Sequence, residues 1–264
     1  MPHCLLAAAA ALAVALAAPP ASAQVFGGVQ REQPLPRFQE PLCPGVAGLK
    51  REAAEMVVGR IRENAGTLGL PAADPATCRA NILVAVLANG KAYVNDLRDR
   101  RPYVFEALDN RQRETLFETD APARSWVRVV TRTRDGMVIE RPEGLDIPPR
   151  ISMAMAHSKI YSAVRRDIIS AGVLVDAAAA TGVSLVQLAD YATMRALAGD
   201  SREAISQRGG SILALFDGGG AAPAELTESD WIFLRTLYGT LANNPAAVTL
   251  ATAQRRIDEQ VLPE

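Results

Sequence analysis

The chain has 264 residues, of which 22% are charged and 5% aromatic, with a formal net charge of −1. So even a balance excludes a global electrostatic handle for nucleic acid or anionic lipid, and so few aromatics leave little stacking surface for single strands or sugars. With two histidines and three cysteines in all, the chain also lacks the clustered imidazoles or thiols on which most metal- and thiol-dependent secreted enzymes draw.

The N-terminus reads as an export signal. An apolar run from Leu5 to Ala18 is broken by Pro19 and Pro20, and Ala21-Ser22-Ala23 then satisfies the small-x-small cleavage rule before Gln24. The run is shorter than the roughly 20 apolar residues a spanning helix needs, and no later stretch is apolar enough to cross a membrane. Residues 1–23 are therefore expected to be a signal peptide, and the mature chain to be periplasmic or secreted. His3 and Cys4 would leave with it, so that His157 remains as the one imidazole and Cys43 and Cys78 as the one pair of thiols. An even pair in an oxidising compartment reads as a disulfide. Closing a loop of about 35 residues would stabilise the fold by roughly 4 kcal/mol on the chain-entropy model.

Residues 24–45, rich in Pro, Gly and Gln, read as an extended segment tied down at Cys43. A helix is predicted from about Val46 to Ala65, with Leu49, Ala53, Val57 and Ile61 on one face. After the loop at Asp74-Pro75, the continuous apolar run between Asn81 and Leu87 suits a strand buried on both faces. Residues 91–118 look helical and charged, and Asp96, Arg98, Asp99, Arg100 and Arg101 form either a solvated face or the lining of a groove. Trp126 to Thr133 alternates, Asp135-Gly136 signals a tight turn, and Met137-Val138-Ile139 is expected to return as the second strand of a hairpin. Arg128, Arg132 and Arg134 would share one face of that hairpin. They form either a solvent face guarding an edge strand or an anion-binding strip. A further strand is predicted over Ile168 to Val175. Strands interleaved with helices make a mixed α/β domain over residues 46–264, a small mixed sheet flanked by helices, with 46–150 and 151–264 as candidate lobes.

The stretch 183–239 has the most explicit local signals. Ser184 and Gln187 form a capping box, Val183 and Leu188 a hydrophobic staple, and Gly199 stops the helix. Gly209-Gly210 opens a short apolar element that Gly218-Gly219-Gly220 ends. Thr227 caps the next helix with Glu228 and Asp230 in its first turn, Leu226 and Trp231 form a staple, and Trp231, Leu234 and Tyr238 are expected on its buried face. Pro245 starts a last amphipathic helix through Val248 and Ile257.

This order, an Ala189-Asp190-Tyr191-Ala192-Thr193 helix, then Ser211-Ile212-Leu213, then Leu226-Thr227-Glu228-Ser229-Asp230 through Leu237-Tyr238-Gly239, resembles the C-terminal core of metzincin-type zincin metalloproteases. The whole chain also resembles a family of uncharacterised exported proteins of Gram-negative bacteria. In the zincin pattern the helix carries H-E-x-x-H-x-x-G. The resemblance places Ala189, Thr193 and Gly199 at the zinc-ligand positions and Asp190 at the general-base position. Alanine and glycine offer no ligand, and a lone threonine hydroxyl is a poor zinc donor. The resemblance thus implies an enzyme-like scaffold without its zinc chemistry, and no cofactor.

Other chemistry is thinly supported. His157 lacks an activated serine beside a G-x-S-x-G turn, and Ser211 after Gly209-Gly210 does not supply that pattern. Two acids suffice for glycoside hydrolysis, and Asp176, Asp190, Asp217 and Asp230 are the candidates. The resulting expectation is a non-catalytic exported protein that binds an envelope protein or peptide-like ligand, with a carboxylate-dependent polysaccharide hydrolase as the alternative. An oligomeric structural component is a third reading.

Overall fold

The computed structural model describes residues 31–106, 108–139, 158, 160–199, 201, 210–216 and 222–261. The expected signal peptide, His157 and Asp217 lie outside these residues.

The sheet is built on its longest strand. Five strands are formed by Arg37–Phe38 (β1), Pro44–Ala47 (β2), Ile82–Leu87 (β3), Ala123–Thr133 (β4) and Val164–Asp176 (β5). β1, β3 and β5 run parallel, as do β2 and β3, in the order β1-β5-β3-β2. β4 is antiparallel and pairs with β5 from Ala123↔Val175 to Thr133↔Val164. Because β4 fills one edge of β5 from end to end, β1 and β3 share the opposite edge at successive heights. The register slips between Arg128 and Val129, where β5 carries Ile169 as an extra residue. Such a bulge bends the strand and increases its local twist.

Helices cover both faces, as the mixed α/β expectation required. Helices α1 (Arg51–Thr67) and α5 (Leu185–Ala198) pack on one face, in a core with Val57, Ile61, Val84, Val173, Val175, Tyr191 and Leu197. On the other face, α2 (Gly90–Arg100), a 3-10 turn (Pro102–Phe105) and α3 (Asn110–Phe117) enclose a smaller cluster. It contains Phe105, Phe117, Trp126 and Leu174. A four-residue turn α4 (Ala177–Ala180) leads into α5, a 3-10 element (Ile212–Phe216) follows, and α6 (Glu228–Gly239) and α7 (Ala246–Val261) complete the chain. No described helix is long and apolar enough to cross a membrane.

Local signals set most helix ends. Capping boxes are in place at Asp109/Gln112, Ser184/Gln187 and Thr227/Asp230, each joining side chain to backbone in both directions. The run Ile82–Leu87 is a strand as expected, and the strand predicted over 168–175 lies inside the longer β5.

Other expectations are corrected or refined by the structure. The first helix does not begin at Val46. Pro44–Ala47 pairs in parallel with Ile82–Ala85, and the chain turns at Gly48, whose φ is 80°. A Cβ there would lie 1.9 Å from the Val86 carbonyl oxygen, so only glycine passes this corner. The charged segment 91–118 is helical as expected, but in three pieces, because α2 stops at Arg100 before Pro102, which opens the 3-10 turn that precedes α3. The chain does return after Gly136, with one bridge, Arg132↔Val138, among the described residues, while β5 pairs with the other edge of β4 along its full length. On α6 the fully buried side chains include Asp230, Phe233, Leu234 and Leu237, with Trp231 and Tyr238 half-buried, while α7 follows Pro245 through Val248 and Ile257 as expected.

Candidate functional site

Helix α5 is closed in from Leu188 to Ala198, with every residue buried. At the three positions that the zincin resemblance singles out, the structure places packing rather than a site. Ala189 is fully buried. The Thr193 hydroxyl donates to the Ala189 carbonyl at 2.8 Å and accepts from Asn64 Nδ2 at 3.1 Å. At Gly199 a Cβ would already stand 3.1 Å from Pro36 Cγ and 3.6 Å from Ile168 Cδ1, which leaves no room for a longer side chain. Among the described residues no three His, Cys, Asp or Glu side chains converge to hold a metal ion.

Asp190, at the general-base position, is a fully buried tie between three parts of the fold. Its Oδ1 accepts from Arg60 Nε (2.9 Å) and Asn64 Nδ2 (2.7 Å), both from α1. Its Oδ2 accepts from Arg60 Nη2 (3.0 Å) and from the Leu226 N–H (2.9 Å) just before α6. Arg60 is also shared with Glu225 at 3.2 Å and Glu63 at 3.4 Å, and its hydrogen bonds to Asp190 hold its pKa above the ordinary arginine range. A carboxylate held by so many donors is poorly placed to accept a proton from a substrate.

The other acids are similarly engaged. Asp230, fully buried, accepts from Ser211 Oγ (2.6 Å) and from the Ile212 and Thr227 N–H groups (2.9 and 3.0 Å), which fastens the 3-10 element to α6. Ser211 is thus a donor in a structural tie. Asp176, at the end of β5, accepts from the Gly90 N–H at 2.6 Å and faces Arg124 Nη1 at 3.9 Å. Cys43 and Cys78 are joined by a disulfide with their Cα atoms 6.1 Å apart.

The accessible polar chemistry gathers along β4. The Arg134 N–H donates inward to Ala163, on the β5 side, whereas that of Thr133 donates the other way, to Met137. By the alternation of an antiparallel ladder, Ser125, Val127, Val129 and Thr131 turn their backbone groups toward the outer edge. Ser125, Val127 and Val129 have no outward backbone partner among the described residues, whereas at Thr131 the edge is met by the 137–139 segment through the bridge between Arg132 and Val138. Among the described residues this leaves an outward row of donors and acceptors from Ser125 to Val129, bounded at one end by the segment that bridges to Arg132.

The three arginines expected to share one face, Arg128 and Arg132 of β4 and Arg134 just after it, differ in their surroundings. Arg132 meets Asp167 at 3.1 Å and Glu40 at 3.5 Å, and Arg134 meets Asp135 at 3.5 Å. Arg128 lies over the ring of Tyr103, with its guanidinium carbon 5.5 Å from the ring centroid. Sequence reasoning missed Asp167, which is 4% exposed and also meets Arg165 at 3.1 Å. Burial pushes its carboxyl pKa above the ordinary value, against the pull of Arg165 and Arg132. The signal available was the alternation Arg165-Arg166-Asp167, which puts an acid two residues from an arginine on one strand face. Its partner strand was not legible. Arg37, 7% exposed, donates through Nη1 to the Leu237 and Thr240 carbonyls at 2.6 and 2.7 Å, where a cation suits the C-terminal end of α6.

In comparisons with family models, curated proteins and solved structures, nothing matched this chain.

Proposed function

We propose that this chain is an exported, non-catalytic binding protein that takes an extended peptide-like ligand, or an extended segment of an envelope protein, on the outer edge of β4. The scaffold is read as a zincin-like one whose zinc-ligand positions have become packing positions. One observation carries the reading: the outward backbone groups of Ser125, Val127 and Val129, which have no backbone partner among the described residues. An added strand satisfies such a row directly, and its affinity comes from main-chain hydrogen bonds. The disulfide suits an oxidising compartment such as the periplasm.

The alternative, a carboxylate-dependent hydrolase of envelope polysaccharide, needs two acids facing one cleft. Asp190 and Asp230 are enclosed and occupied by donors, so the binding reading is preferred.

Titration of the 15N-labelled protein with a synthetic heptapeptide of alternating threonine and valine tests the edge. The amides of Val127 and Val129 are expected to shift and to exchange more slowly with solvent. Val129→Pro removes an outward donor and fills the edge with a ring, while the bonds of Arg128 and Val130 to β5 remain; proline is tolerated on such an edge. At least a tenfold loss of peptide affinity is expected on the order of the 1.4 kcal/mol that one net hydrogen bond contributes. Shifts elsewhere with none along β4 would refute the reading. A second measurement addresses the scaffold: after equilibration with zinc and desalting, bound metal should be well below one equivalent. Stoichiometric zinc bound at α5 would overturn the non-catalytic assignment.

A further inference from the structure

We propose that Arg128 selects an acidic residue in the strand that docks on β4, so that the ligand is an extended acidic peptide; this rests on the edge-binding reading above.

Arg124, Arg128 and Arg132 stand four residues apart on β4 and so share one face of the sheet. Arg132 has two carboxylates, Asp167 and Glu40, and Arg124, 4% exposed, has Asp176 at 3.9 Å. Arg128 forms no hydrogen bond or ion pair with any described residue, yet it is half-buried and rests on Tyr103. An unpaired guanidinium in the middle of an otherwise neutralised row is a vacancy for a carboxylate. Tyr103, 47% exposed, supports the flat face of the guanidinium from an accessible position. Stacking of this kind leaves the N–H edge free for two parallel bonds to one carboxylate.

Register places the selector well. The outward hydrogen bonds belong to Val127 and Val129, which makes Arg128 a non-hydrogen-bonded position toward an added antiparallel strand. At such positions facing Cα atoms are about 4.5 Å apart and side chains come closest. A glutamate or aspartate of the ligand directly across from Arg128 would meet its guanidinium, while residues on either side supply the backbone bonds. A lysine there would meet like charge, which is destabilising across strands.

The test uses the full protein and three fluorescein-labelled heptapeptides of alternating threonine and valine, with glutamate, glutamine or lysine at the centre. By anisotropy the glutamate peptide should bind about fivefold tighter than the glutamine peptide, the scale of a favourable cross-strand charge pair, and the lysine peptide weakest. In Arg128→Gln the glutamate and glutamine peptides should become equal, and in Arg128→Glu the order should invert toward lysine. Thermal unfolding of both variants checks that the fold is retained. Equal binding of all three peptides to the unaltered protein, still abolished by Val129→Pro, would overturn the selection of acid and leave the edge reading standing. Binding of none would overturn both. A uniform loss across the three in Arg128→Gln would assign Arg128 a structural role and refute the proposal.

Discussion

Replacing Asp190 with alanine is expected to destabilise the protein by about 3 kcal/mol, toward the low end of the range for removing one partner of a buried ion pair. The carboxylate is fully buried and collects four hydrogen bonds, two from Arg60 and one each from Asn64 and the Leu226 N–H. Alanine leaves Asn64, 1% exposed, and the Leu226 N–H without that acceptor. The side chain of Arg60 is 24% exposed and regains some water, which holds the expected loss below the upper limit. Urea unfolding measures the change, and the midpoint of thermal unfolding should fall by about 6–12 °C for a chain of this size. Arg60→Ala should cost less, and the double variant should lose less than the sum of the two, because the residues share one network. A loss under about 1 kcal/mol for Asp190→Ala would show that this network is not a principal tie between α1, α5 and α6. The experiment also bears on function. If Asp190 were kept for catalysis, its removal would be expected to leave stability unchanged or improved.

The second large effect is expected from the disulfide. Cys43→Ala with Cys78→Ala should lower stability by roughly 4 kcal/mol, the loop-entropy figure for the 35-residue separation that the bond closes. The loop contains β2 and α1, so the bond ties the first parallel pair of the sheet to its own crossover helix. Around it the native pairing is already dense: the Asn81 side chain accepts from the Cys43 N–H at 2.8 Å, and the Asn81 N–H donates to the Cys43 carbonyl at 3.0 Å. The folded geometry should therefore survive reduction, with the loss falling mainly on the unfolded ensemble, which regains its freedom. Urea unfolding with and without reductant checks this. A difference below about 1 kcal/mol would mean that the reduced unfolded chain stays constrained near Cys43 by other means.

These expectations bear on the candidate site through position. Asp190 and Asp230 fasten α5, α6 and the 3-10 element beneath the sheet. The edge of β4 is thereby presented on a braced platform, and a preformed strand loses little freedom when a ligand pairs with it.

What could be read in the sequence was whatever depended on neighbours a few residues away. The capping box at Ser184, the cap at Thr227, the stop at Gly199 and the apolar run of β3 follow from local backbone chemistry, and each is found in place. The Cys43–Cys78 bond could be read because no other pairing remained once the expected leader, with Cys4, was set aside. The failures share one cause. Met137 to Ile139 met the local rules for a return strand and bridge back to β4 at Val138, but the partner along the whole other edge of β4 is β5, which begins only at Val164 and could not be read from neighbours. Val46 obeyed the helical repeat and was taken by the sheet through pairing with Val84. Asp190 was placed on the right helix, yet its partners Arg60 and Asn64 lie 130 and 126 residues away in sequence. The sequence by itself determined the local stops, starts and cross-link, because caps, turns and thiols act over a few bonds or by elimination. Only the tertiary structure decided that Asp190 is enclosed and that β5 takes one edge of β4 along its full length, because burial and strand pairing depend on which distant segments meet.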